Sequence, residues 1–181
     1  MKMTLSTEEM LNQWRLRRAL EPLRSDCTVE RTDGIDLDSL LRLEMRDWYL
    51  KLLDTAPLEY LAPVDLAGDV ALSVGDDGVA TVNLPERCRR VVEVMLDEWE
   101  RPATILAPDS PLARCQQSVY SRGGSVAPVA VQEAGRLRLY SVAGQSPVIT
   151  RLLCVAEPED GVYTFDERAL SLIGDLAYVT Q

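Results

Sequence analysis

Near Gly68 the hydrophobic pattern changes period, from about 3.6 residues before it to about 2 after it, and this change constrains the fold more than any other feature. Helical and extended segments bury different kinds of face, so the chain needs both helices and a sheet. Before the change, Leu37, Leu40, Leu41, Met45, Trp48 and Leu52 recur at helical spacing, which predicts a helix over about 37–53 with Asp36 as its cap. Upstream, Ser6 and Glu9 form a capping box, and Leu5 and Met10 occupy the positions of a hydrophobic staple. The helix they open runs over about 7–20 to the stop at Pro22. Met10, Leu11 and Trp14 lie on one side, and Arg15, Arg17 and Arg18 spread round the other. The polar stretch 24–34, closed by Asp33-Gly34, reads as a linker, so the two helices form a hairpin.

After Gly68, Val70, Leu72 and Val74 lead into Gly75-Asp76-Asp77-Gly78, and 79–84 returns from it as the second arm of a β-hairpin. A longer strand is predicted over 89–97, ended by 99–102, with 103–107 as a short partner strand. The stretch 108–124 lacks alternation and reads as a long structured loop with a helical turn within 112–120. Strands at 127–133, 136–142 and 148–156, joined through Ala134-Gly135 and 144–147, read as a three-stranded meander. A final helix follows the acidic turn 157–161. It opens with Thr164 and Glu167 as a capping box, or with Asp166 as cap and Phe165 against Leu170 as staple, and runs to about Tyr178 with Leu170, Ile173 and Leu176 or Ala177 on one face. The expected fold is α+β: an N-terminal helical hairpin, a central mainly antiparallel sheet of five to six strands and a C-terminal helix. Its regions are 1–66, 67–156 and 157–181, the last packing back on the first in one compact domain.

Composition narrows the chemistry. The 181 residues include no histidine, which removes the commonest general base, metal ligand and physiological pH switch together. Cys27, Cys88, Cys115 and Cys154 are far apart with no CxxC spacing, so reduced thiols are expected and no metal or other cofactor. Neither GxxxxGK[ST] nor GxGxxG occurs. Asp33, Asp36 and Asp38 lack the order and closing glutamate of a calcium loop. Arg122-Gly123-Gly124-Ser125 reads as a bend, although its amides and guanidinium could face an anion. A net charge of −10 limits nucleic-acid binding to local contact and argues against anionic membranes. No signal-like segment opens the sequence and no apolar run approaches the ~20 residues of a membrane span, so a cytoplasmic chain is expected. Lys2 and Lys51 are the only lysines among 19 basic residues, and arginine is the better residue for forked pairing at interfaces.

The phrase from Asn83 through Leu84-Pro85-Glu86-Arg87 to Val94, the tryptophan at Trp99, Arg114-Cys115-Gln116 within the run to Tyr120, and Pro128-Val129-Ala130 together resemble the head-to-tail adaptor of short-tailed bacteriophages, the tail tubular A type. The resemblance spans about 5–178, with glutamate at Glu86 where aspartate is commoner in the family. It implies a non-enzymatic structural protein, a homo-oligomeric ring between portal and tail proteins in a virion, with recognition and symmetric assembly as its mechanism. Trp14, Arg15 and Arg18 on the first helix, and Arg114, Gln116, Gln117, Tyr120 and Arg122 in the long loop, are the expected contact residues. Two other readings are a small α+β binding domain acting as monomer or dimer, and a hydrolase built on an Asp/Glu pair.

Overall fold

The computed structural model describes residues 1–18, 37–144, 146–159 and 161–175. In chain order the regular elements are β1 (Lys2–Ser6), α1 (Thr7–Arg17), α2 (Leu37–Thr55), β2 (Val64–Asp65), β3 (Leu72–Val74), β4 (Val79–Asn83), β5 (Cys88–Leu96), β6 (Thr104–Leu106), α3 (Pro111–Cys115), β7 (Val129–Glu133), β8 (Arg136–Tyr140), β9 (Ile149–Ala156) and β10 (Val162–Asp166). The fold is α+β. Where the sequence suggests one domain divided at 66/67 and 156/157, the chain forms two compact units: 1–62 joined by 157–181, and 63–156 inserted between them. Each unit buries its own core.

In the first unit α1 opens with the expected capping box, the Ser6 hydroxyl accepting from the Glu9 amide and the Glu9 carboxylate accepting from the Ser6 amide. Met10, Leu11 and Trp14 are buried, as their spacing requires. α2 buries Leu41, Met45, Trp48, Tyr49, Leu52 and Leu53, while Leu40 is exposed. Trp48 meets both Trp14 and Phe165 edge-on, at ring-centre distances of 5.6 and 6.3 Å. The predicted cap Asp36, the linker 24–34, the helix stop at Pro22 and Cys27 lie outside the described residues.

Where a C-terminal helix is expected, the described residues form a strand followed by a 3₁₀ helix. Residues 162–166 alternate half-buried and buried side chains, with Tyr163 and Phe165 inward, and form β10, antiparallel to β1 with Lys2 opposite Asp166 and Ser6 opposite Val162. A period-two face against the aromatic core outweighs the local helix signals here. Asp166 is a cap, its carboxylate accepting from the Arg168 amide, but the turn it opens is a 3₁₀ helix over Glu167–Leu172. Residues 176–181 lie outside the described residues. Thr164 sits inside the strand, where its amide donates to the Tyr49 hydroxyl and its carbonyl accepts from it, each at 3.1 Å.

The second unit contains two sheets around one core. A five-stranded sheet runs in the order β3-β4-β8-β7-β6, antiparallel except for the parallel β6/β7 pair, and a three-stranded antiparallel sheet runs β2-β9-β5. The expected central sheet of five to six strands is therefore two sheets. The expected meander stops at two strands: β8 already has β4 and β7 on its edges, so β9 crosses to lie between β2 and β5. Ala80, Val82, Leu137, Leu139 and Ala130 of the larger sheet share this core with Val91, Val94, Leu96, Leu152 and Cys154 of the smaller one. The Asp65 carboxylate accepts the Leu152 and Ala67 amides, securing the short β2.

Burial pushes the Tyr49 phenol up to about 12 despite its hydrogen bond to Thr164. Between about pH 10 and 12 the unfolded chain loses this proton and the folded chain keeps it, so the contribution to stability, present below pH 10, is lost as pH rises through that window. Urea unfolding of Tyr49→Phe should show a loss of about 1–2 kcal/mol at pH 7, from the unmet Thr164 backbone groups, and a shallower fall in stability above pH 10 than the wild-type chain.

Candidate interaction surface

The larger sheet of the second unit has two differently treated faces. Strand alternation turns Ala80, Val82, Leu137 and Leu139 inward, and Val79, Thr81, Arg138, Tyr140, Val129 and Val131 to the opposite side. On that outer side Ala113 of α3 packs with Val131 and Tyr140, so the segment carrying α3 roofs part of the face. The segment continues through a 3₁₀ turn at Val119–Ser121 and another at Gly124–Val126. The long loop expected at 108–124 is thus a structured cover.

One side chain holds it. The Arg122 guanidinium donates from Nε to the Gln116 carbonyl at 2.8 Å and from Nη1 to the Asp77 carbonyl at 2.6 Å, and lies 5.4 Å from the centre of the Tyr140 ring. It joins the roof to the β3/β4 hairpin turn, 45 residues away in sequence. Gly123 follows because the backbone bridges to Ala127 there; a Cβ at this position would stand 2.5 Å from the Ala127 carbonyl oxygen. The predicted bend is this close approach.

Held in this way, the segment presents apolar groups to solvent. Tyr120 is fully exposed, and Leu112, Val119 and Val126 are each more than half exposed. Beside Val119 lies a cleft of about 440 Å³ lined mainly by apolar surface, including Val142, Ala143 and Ser141. Ser141 takes the left-handed conformation at φ 67°, rare for a residue with a Cβ. Its carbonyl accepts from the buried Trp99 indole at 3.1 Å, and the Ala143 and Gly144 amides both donate to the Glu98 carboxylate at 2.8 Å, so neighbouring contacts define the strained position.

The eight residues expected to make contacts divide by unit and by exposure. In the first unit Trp14 is 1% exposed and belongs to the core, which corrects its place on a contact face. Arg15 and Arg18 are ion-paired to Asp38 and Glu44 of α2, and Arg18 also lies over the Trp14 ring. In the second unit Arg114, Gln117 and Tyr120 are exposed. Gln116 is 5% exposed and its amide donates to the Leu112 carbonyl, so it supports the turn from inside the fold. Arg122 is half-buried, with two of its N–H groups engaged in holding the roof. Leu112, Val119 and Val126 were missed because nothing in a short apolar residue within a loop says whether it points in or out.

Among the described residues no group of three or more His, Cys, Asp or Glu is placed to hold a metal ion. Asp77 and Glu98 line the same cleft, but the Asp77 carboxylate accepts the Val79 amide and Glu98 accepts two loop amides, so both are occupied with backbone. Asp166 is held well below the usual carboxylate range by the Arg168 side chain, then by the Met1 amino group and the Arg168 amide, and Glu9 is lowered by the Ser6 amide and hydroxyl. These shifts oppose the raised pKa that a general acid needs. Cys88 and Cys154 are neighbours on β5 and β9, and Cys115 is exposed. No helix among the described residues is long and apolar enough to cross a membrane.

Compared with protein-family models, curated proteins and solved structures, the chain matches none.

Replacing Arg122 by alanine should release the roof without unfolding the sheets. Amide hydrogen exchange over 116–122 should quicken by at least about tenfold, while exchange in β8 and β9 stays within about threefold of the wild-type rate.

Proposed function

We propose that the chain is a non-enzymatic assembly protein of the head-to-tail adaptor kind, forming an oligomeric ring that recognises portal and tail proteins by surface contact. One observation carries this reading: a fully exposed tyrosine, with exposed Leu112, Val119 and Val126 in the same segment, sits on a roof that a buried-side arginine contact holds in place. Exposed aromatic and aliphatic groups on a pre-ordered segment lose little conformational entropy when covered, which is the economical way to build a contact hot spot. Repeated head-to-tail contacts of one such surface close into a ring when the rotation between subunits closes. The adaptor-like phrase Asn83 to Val94 supports the same reading, since it leads from the end of β4 into β5, beneath this surface's own core. On this reading, such a protein of a phage is a virion component after assembly.

Light scattering on the purified chain, alone and with a portal protein, tests the proposal. A mass of several subunits in at least one of these conditions is expected, with Tyr120→Asp weakening the association about tenfold or more while thermal unfolding is unchanged, since the ring makes no core contact. A strict monomer at all concentrations that ignores the portal protein would overturn it.

A further inference from the structure

We infer that the outer edge of β3, together with the Arg122 cleft beside it, is a docking site for an extended, carboxylate-bearing segment of a partner protein, bound by strand addition. This rests on the assembly reading for the partner being a protein, and it adds where and by what chemistry that partner is held.

The backbone of the edge points the right way. The Gly75 amide donates to the Val79 carbonyl, and Leu72, Ser73 and Val74 stand opposite Val82, Thr81 and Ala80. Antiparallel ladders alternate, so Ser73 and Gly75 turn their backbone groups toward β4 while Leu72 and Val74 turn theirs outward. Those outward groups bond to no described residue. β3 is the end strand of its sheet, and Leu72-Ser73-Val74 contains none of the charges, prolines or bulges that guard exposed edges. The opposite end strand differs, because Ala103 just before β6 donates to the Val94 carbonyl of β5.

The chemistry beside this edge is cationic and already ordered. A cleft of about 450 Å³ runs from Ser73, Val74 and Gly75 to Arg122, Arg138 and Gln117. Arg138 pairs with Glu133 at 3.3 Å. Arg122 has no carboxylate partner among the described residues: its Nε and Nη1 bond two carbonyls and its Cζ lies over the Tyr140 ring, leaving Nη2 without an acceptor among those residues. A half-buried guanidinium held by neutral groups has its charge met only by solvent at Nη2, and a carboxylate is the acceptor that fits its fork. Asp77 on the same cleft, and Glu133 beside Arg138, disfavour a dianion such as phosphate and leave room for a single negative charge. Main-chain pairing along Leu72 and Val74 would supply affinity, and a side-chain carboxylate reaching Arg122 would supply selectivity.

The test uses the full chain labelled with ¹⁵N and a blocked peptide, Thr-Val-Glu-Val-Thr, titrated to about 5 mM, where weak strand addition is measurable. The expected result is saturable movement of the Leu72 and Val74 amide signals, weakened about tenfold when the peptide's Glu becomes Gln. Val74→Pro removes an outward N–H without touching the β4 ladder, leaves Leu72 as the reporting amide and should abolish its movement. Arg122→Lys, which keeps the charge, should bind better than Arg122→Gln, and circular dichroism confirms that each variant is folded. Absence of movement, equal response to the Glu and Gln peptides, or wild-type binding by Val74→Pro overturns the inference. Displacement of the peptide by inorganic phosphate, with Leu72 and Val74 unmoved throughout, does the same and identifies a simple anion site. Light scattering on the same samples separates the two proposals: a chain that assembles but ignores the peptide overturns only this one, and a peptide-binding strict monomer overturns only the assembly reading.

Discussion

The second unit depends on covering both faces of its five-stranded sheet. The inner face is buried by the three-stranded sheet through a shared aliphatic core, and this contact exists because β9 leaves its sequence neighbour β8 and enters the other sheet between β2 and β5. The outer face has no second sheet. Its apolar half, around Val131 and Tyr140, is covered by α3 and the turns that follow, and its polar half, around Ser73, Thr81 and Arg138, remains open. Arg122 stands at the boundary between the halves, binding the cover to the hairpin turn with hydrogen bonds to main-chain carbonyls. The exposed tyrosine, the apolar cleft and the polar cleft are all consequences of where that cover stops.

The first unit solves a different problem with different material. Helices α1 and α2 and the β1/β10 ribbon enclose Trp14, Trp48, Tyr49, Tyr163 and Phe165, whose rings meet edge-on; the Tyr49 hydroxyl bonds Thr164 and the Trp48 indole donates to the Leu172 carbonyl, while the buried Trp14 indole N–H has no partner among the described residues. Arg15 and Arg18 are engaged with α2 acids, so the arginine-rich side of α1 serves helix pairing more than outside contact. Such partly exposed pairs add little stability, and the aromatic burial dominates.

Local signals were legible where one residue's neighbours decide its state. The Ser6/Glu9 box, the Gly75 to Gly78 turn and the alternation of β4, β7 and β8 are short-range patterns, and each appears where the residues put it, whereas a bulge between Val91 and Glu93 breaks the alternation of β5 and brings Val91 and Val94 into one core, and Leu40 of the α2 stripe is exposed. Elsewhere a distant partner decides the state. Residues 2–6 form a strand only because 162–166 lie beside them, and 162–166 form a strand only because their odd positions meet the aromatic core, so a helix cap signal at Thr164 was overruled. Of the contact residues, Arg114, Gln117 and Tyr120 proved accessible, whereas Trp14 and Gln116 were buried, since burial of a residue in a loop or a short helix depends on what is folded over it.

By itself the sequence determined the α+β class, the positions of most elements and the lack of histidine-based chemistry, because propensity, period and composition are properties of short stretches. Tertiary structure alone decided that the chain forms two units, that β9 changes sheets, that β3 keeps an uncovered edge and that Arg122 reaches across 45 residues to Asp77. Those outcomes follow from which faces remain apolar after the nearest neighbours have paired, and only the folded chain as a whole settles that competition.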